Sequence, residues 1–148
     1  MKNKINNFMA FEKDVMENIF LYSEKNTDYI KYESSEMSKI ECVGKIKQQY
    51  ENAIVLSRKF TGVGFFTDFH VEDTSLHLNE DVNFELGGNH IAINGLRHGI
   101  GLVLFIRKGV ISFLEGYTYQ EKWWPSVFVD KYQFHLVNKD GTTTKIID

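Results

Sequence analysis

The chain predicts an α+β domain in which N-terminal helices pack on a curved, mainly antiparallel sheet of about six to seven strands. Three observations carry this. Apolar residues recur every three or four positions as far as Asn52, and from Ala53 onward the period is two. The later apolar runs follow one another through short polar or glycine-bearing links with no helical pattern between them, so helices and strands are segregated rather than alternating. The stretch His98–Tyr119, HGIGLVLFIRKGVISFLEGYTY, reads as a buried hairpin on which the rest can be laid out.

From about Asn7 to Tyr22, residues Phe8, Phe11, Val15, Ile19 and Tyr22 form one apolar stripe, with Glu12, Lys13, Asp14 and Glu17 between them. SEKNTD ends this helix, and Thr27 or Asp28 can cap a short second piece through Tyr29, Ile30 and Tyr32. Ser38 and Glu41 have the capping-box spacing, in which each side chain serves an orphan amide of the other residue. Ile40, Val43, Ile46 or Lys47, and Tyr50 continue a helical stripe to about Asn52.

In AIVLSRKF, alternation groups Ile54, Leu56, Arg58 and Phe60 on one face, and Val55, Ser57 and Lys59 on the other. TGVG turns the chain. Phe65, Thr67, Phe69 and Val71 then line one face of a strand, and Phe66, Asp68, His70 and Glu72 the other. DTSLHLNEDVN is a polar connection with a short edge segment at Leu76–Leu78. NFELGGNHIAI resumes strand character, with a bulge or bend at Gly87-Gly88, and NGLRHGIG is a loop. The unbroken apolar run GLVLFIR predicts a strand covered on both faces. Lys108-Gly109 is the hairpin turn, and VISFLEGYTY returns beside the first strand. QEKWWPSVFVDK, with the only proline, Pro125, is loop or irregular edge. YQFHLVN and TTTKIID make a terminal hairpin around Lys139-Asp140-Gly141. A helical part (1–52) and a β-meander (53–148) thus share a single domain, its sheet open or partly closed into a barrel.

With 148 residues, 43% of them hydrophobic and 14% aromatic, the chain can bury a substantial core. A net charge of −3 gives no general electrostatic case for nucleic acid or an anionic membrane, so neither is an expected partner. The single cysteine, Cys42, excludes an internal disulfide and suits packing within a helix. MKNKINNFMAFEKD has too short an apolar patch for a signal peptide or a membrane span, so the expected location is cytoplasmic.

Candidate chemistry is sparse. Gly95, Gly99 and Gly101 precede a strand instead of a helix N-terminus, so they read as turn glycines and not as a phosphate loop. The histidines His70, His77, His90, His98 and His135 form no ligand motif, although His70 and Glu72 could join His90 or His98 on adjacent strands. Neither metal nor cofactor is expected. Glu115 is the sharpest oddity, because alternation sets it among Ile111, Phe113, Tyr117 and Tyr119 on one face. A carboxylate removed from water needs a partner, and Arg58 or Arg97 could supply one. Such a cluster fixes sheet register, or else makes Glu115 an acid or base in a pocket with Tyr117, Arg58 and His98. Between Lys59 and Arg97 there is no Lys or Arg, whereas Asp68, Glu72, Asp73, Glu80, Asp81 and Glu85 accumulate. That asymmetry suits a basic partner. Trp123 and Trp124 read either as contacts for a partner or a second copy of the chain, or as a plug closing one end of the sheet.

The segments SRKFTGVGFFTDFHV and GLRHGIGLVLFIRKGVISFLEGYTYQEKWWP together resemble a family of small, mostly bacterial proteins without an established activity. Its pattern runs TGVGFFT, then GLxxGxGxxLFI, then LEGYTYxExWP. The resemblance covers roughly residues 54–125, and Trp124 departs from it. It implies one small cytoplasmic domain and carries over no catalytic residue.

Two functions from different classes follow as expectations. The first is a non-enzymatic protein-binding module, of the immunity or antitoxin kind, with an acidic face that includes Asp68, Glu72 and Asp73 and with Arg97, Trp123 and Trp124 as further contacts. The second is a small-molecule-binding protein or enzyme with a pocket near Glu115.

Overall fold

The computed structural model describes residues 4–32, 37–125, 129, 132–137 and 143–145. The change of period at Ala53 is the boundary between two layers. Helix α1 (Lys4–Lys25) and helix α2 (Lys39–Glu51), with a 3₁₀ turn at Thr27–Tyr29 between them, form the first layer. The second is one sheet of β1 (Ile54–Phe60), β2 (Gly64–His70), β3 (Phe84–Ile93), β4 (Ile100–Arg107), β5 (Val110–Thr118), β6 (Tyr132–Val137) and β7 (Thr143–Lys145). The expected α+β class, with N-terminal helices on an antiparallel sheet, is what the chain forms. Among the described residues no helix is long and apolar enough to cross a membrane.

Every described strand pairing is antiparallel, and the order β1-β2-β5-β4-β3-β6-β7 leaves the sheet open and not closed into a barrel. The order also departs from a sequential meander. The link from β2 to β3 passes the β4–β5 turn and puts β3 beyond β4. Its route is fixed where Leu78 N–H donates to Gly109 O at 2.9 Å and Gly109 N–H donates to Val82 O at 2.8 Å. Lys108 and Gly109 both have positive φ, as the tight twisted turn of a two-residue hairpin requires. A Cβ on Gly109 would lie 2.3 Å from Leu78 O, so the passing link also demands a glycine there. Leu76–Leu78 is not an edge strand: Thr74–Leu76 is a 3₁₀ turn, capped by Asp73, whose carboxylate accepts the Ser75 N–H. The terminal turn Lys139-Asp140-Gly141 lies outside the described residues.

Ser38 Oγ accepts the Glu41 N–H at 3.2 Å, which starts α2 where the capping spacing predicts. The buried stripe of α1 comprises Phe8, Phe11, Val15, Met16, Ile19 and Phe20, and that of α2 comprises Cys42, Val43 and Ile46. They meet Phe65, Phe69, Phe84, Leu86, Leu102, Leu104, Ile106 and Leu114 from the sheet. Phe8 stands edge-on to Phe60 and Phe65, with ring centroids 5.0 and 4.9 Å away.

Two buried polar side chains tie the layers together. Glu12, 5% exposed, accepts two bonds from Arg58 (Nε at 3.0 Å, Nη2 at 2.8 Å) and one from Thr67 Oγ1 at 2.5 Å. This fork against the carboxylate, more than anything else, raises the Arg58 pKa above its ordinary value. Gln49, fully buried, donates to Leu76 O and Gly109 O and accepts the Ile111 N–H.

Three register shifts alter the faces that simple alternation predicts. One between Val55 and Ser57 keeps Arg58 and Phe60 turned to the helices and leaves Ile54, Val55 and Leu56 exposed on the edge strand. Another, between Gly87 and Asn89, is the bulge expected at the glycine pair. The third, opposite Phe105 and Ile106, moves Ile111 into the core and separates it from Phe113 and Glu115. The helices cover one face only. On β4, Ile100, Leu102, Leu104 and Ile106 are buried, while Val103, Phe105 and Arg107 on the other face are half-buried, so the expectation of a strand covered on both sides does not hold.

Candidate functional site: the face turned away from the helices

The register places chemistry on that second face in rows. One row runs Lys59, Phe66, Glu115, Val103, Gly87 across β1, β2, β5, β4 and β3. The next runs Ser57, Asp68, Phe113, Phe105, Glu85. A third includes Gly64, Tyr117, Gly101 and His90. Half-buried aromatics therefore occupy the centre, and carboxylates stand at the margins and in the middle.

The rings hold one another in place. Phe113 stacks on Phe105 at 4.4 Å and lies 6.0 Å from Phe66, which makes a ribbon across three strands. Tyr117 lies across Gly101, where a Cβ would come within 2.4 Å of its ring. Tyr119 sits edge-on to Tyr117 at 5.7 Å and stacks with His90 at 6.0 Å. Burial, the neighbouring Tyr117 hydroxyl and a hydrogen bond to it raise the Tyr119 pKa. His90 Nε2 donates to the His98 carbonyl at 2.7 Å, an arrangement open only because Gly99 has φ +66 and no side chain.

Of the candidate quartet, only Glu115 and Tyr117 share this face. Arg58 turns the other way, and its partner is Glu12, not Glu115. Arg97 does not pair with Glu115 either. Among the described residues the Glu115 carboxylate has neither a hydrogen bond nor an ion pair. His98 is exposed on the loop before β4. His70 and Glu72 lie at the Phe113 end of the face, whereas His90 and His98 lie at the Tyr117 end, so no His/carboxylate set forms between them. Among the described residues no three His, Cys, Asp or Glu groups converge as metal ligands. Cys42 is buried in α2, and desolvation pushes its thiol up to about 11.

The acidic stretch divides in space. Asp68 and Glu85 flank the aromatic ribbon. Glu72, Asp73, Glu80 and Asp81 are exposed along the β2–β3 link at one end of the sheet. Asp68 accepts from Ser57 Oγ at 2.7 Å, and Glu85 pairs with Arg107 at 3.1 Å. The Asp73 carboxyl is held below its ordinary pKa by its bonds from Ser75. The tryptophans also divide. Trp123, 3% exposed, packs against Phe11 and Phe65 and closes the core, and its backbone N–H donates to Gly62 O. Trp124, 49% exposed, lies over Gly62.

Spacing alone gave no sign of Glu121 as a loop anchor. Its carboxylate accepts the successive N–H groups of Arg97 and His98 at 2.8 and 2.9 Å, a two-amide nest in a loop opened by Gly95 at φ +95. Those two bonds, more than nearby charge, hold the Glu121 carboxyl below its ordinary pKa of 4.5. A depressed acid adds stability above its unfolded-state pKa and loses it as pH falls through the folded-state value. The amide proton shifts of Arg97 and His98, followed by NMR, should therefore titrate together with a midpoint below 4.5, and Glu121→Gln should abolish that step. A midpoint at or above the ordinary value would contradict the nest.

No family model, curated protein or solved structure matches this chain.

Proposed function

We propose that the chain is a non-enzymatic, cytoplasmic protein-binding module that offers its helix-free sheet face to a basic partner. One observation carries this reading. Phe66, Phe113, Phe105, Val103 and Tyr117 form a half-buried apolar surface around Glu115, a carboxylate with no ion pair among the described residues, with Asp68 at one margin and the Glu85–Arg107 pair at the other. Aromatic residues ringed by polar ones favour protein contact, since rings contribute large areas at little entropic cost. Marginal carboxylates raise the association rate of a basic protein and reject acidic ones. Exposed Trp124 lies at one end of the same sheet.

The test is photo-cross-linking in the cells that make the protein, with a benzophenone side chain replacing Phe113 on the face or Leu21 on the outer side of α1. A single adduct with a protein of high isoelectric point is expected from position 113 and not from position 21. It should disappear when Asp68 and Glu115 are changed to Lys. Adducts of equal yield from both positions, or none from 113, would exclude the reading.

A further inference from the structure

We infer that Glu115 and the rings around it form a binding site for a guanidinium group, so that an arginine side chain of the partner docks at the centre of the face. This rests on the reading just given and specifies its chemistry. The sheet already contains one such assembly made from its own residues. Arg107 lies over the Phe105 ring, its Cζ 5.1 Å from the centroid, while Nη2 bonds the Glu85 carboxylate at 3.1 Å. Phe105 and Glu85 are direct cross-strand neighbours. A ring next to a carboxylate thus holds a guanidinium by its flat face and by its edge at once.

Glu115 repeats that setting. Phe66 is its direct neighbour on β2, Phe113 and Tyr117 are its neighbours along β5, and Val103 closes the β4 side. The chain supplies no cation to it among the described residues. Lys59 shares its row but stands on the edge strand, with Phe66 between them. Arg97 belongs to the loop whose amides hold Glu121. Arg107 is engaged with Glu85, and Arg58 with Glu12.

The chemistry favours arginine over lysine. A guanidinium is planar, weakly hydrated and able to stack while presenting an edge of N–H donors to a carboxylate, whereas an ammonium is a strongly hydrated point charge. Half-burial of Glu115 among rings lowers the local dielectric and strengthens both contacts relative to open solvent.

The experiment titrates the intact protein with a terminally blocked Gly-Arg-Gly peptide and follows methyl NMR signals. The Val103 methyls, beside Glu115, are expected to shift saturably, while those of Leu104, on the helix side, stay fixed. The same peptide with citrulline, which keeps the shape and loses the charge, should leave Val103 unmoved. Glu115→Gln should weaken binding at least tenfold with an unchanged thermal midpoint, and Asp68→Asn should have little effect. Equal binding by the citrulline peptide or by Glu115→Gln would overturn the inference, as would the absence of a saturable Val103 shift. If the peptide fails while the position-113 adduct forms, the docking face stands without this site. If the peptide binds and no adduct forms, the site stands and the protein-partner reading falls.

Discussion

Replacing Arg58 with Met is expected to cost about 3–5 kcal/mol of folding stability, as breaking one half of a buried ion pair does. The Glu12 side chain is 7% exposed and takes three hydrogen bonds, two of them from this guanidinium. Without Arg58 the carboxylate retains only the Thr67 hydroxyl and has little access to water to replace what it lost. Most of the cost should therefore come from the charge left behind, and not from lost packing, because Met restores much of the aliphatic volume. Changing Glu12 to Met as well should bring stability back to within about 1–2 kcal/mol of the parent, since a well-packed apolar pair often replaces a buried ion pair at little cost. Urea unfolding midpoints at constant slope measure both. If single and double variants lose the same amount, the uncompensated charge is not the cause and packing is.

That pair also shows where the sequence was informative and where it was not. Strand alternation groups Arg58 with Phe60, and both turn to the helices although Ile54 and Leu56 of the same group are exposed, but periodicity says nothing about which carboxylate will arrive. Glu115 is the obvious choice by analogy, being another charge among aromatics. The partner comes instead from α1, where Glu12 reads as one of several polar residues between apolar positions. Distinguishing Glu12 from Lys13 or Asp14 requires knowing which side of the stripe meets β1 and β2, which is set by packing between elements distant in sequence.

The helices, the Ser38 cap, the Lys108-Gly109 turn and the Gly87-Gly88 bulge were legible because each depends on local chemistry: apolar spacing, a side-chain acceptor, positive φ, the lack of a Cβ. The strand order was not. It follows from how the β2–β3 link passes over the hairpin turn, and DTSLHLNEDVN carries no local signal for that path. The same gap explains the error over β4. GLVLFIR has the composition of a strand covered twice, yet its second face is sheltered sideways, with Phe105 stacked on Phe113 and capped by Arg107. Lateral stacking and true coverage give the same sequence, and only the second removes the face from use as a binding surface.

Gln49→Leu is expected to destabilise the fold by about 2–4 kcal/mol, because it leaves buried backbone groups unsatisfied while preserving side-chain volume. The Gln49 amide lies between α2, the 3₁₀ turn and the β4–β5 hairpin, bonding Leu76 O at 2.8 Å, Gly109 O at 2.9 Å and Ile111 N–H at 2.9 Å. Gly109 O keeps its bond from Leu78 N–H, so the heaviest loss falls on the Ile111 amide, which sits beside the register shift. Gln49→Glu separates the two directions of bonding. A carboxylate still accepts from Ile111 but turns an oxygen towards two carbonyl oxygens in a fully buried site. Its pKa in the folded state must then rise above the unfolded value of roughly 4.3. The penalty is absent below that value, where both states are protonated, and grows as pH rises through it. At pH 7 Gln49→Glu should accordingly be less stable than Gln49→Leu, and it should recover as pH falls towards 4. Chemical unfolding of the two variants across that range measures the difference. An order that does not change with pH would mean that Gln49 acts through shape and not through the direction of its hydrogen bonds.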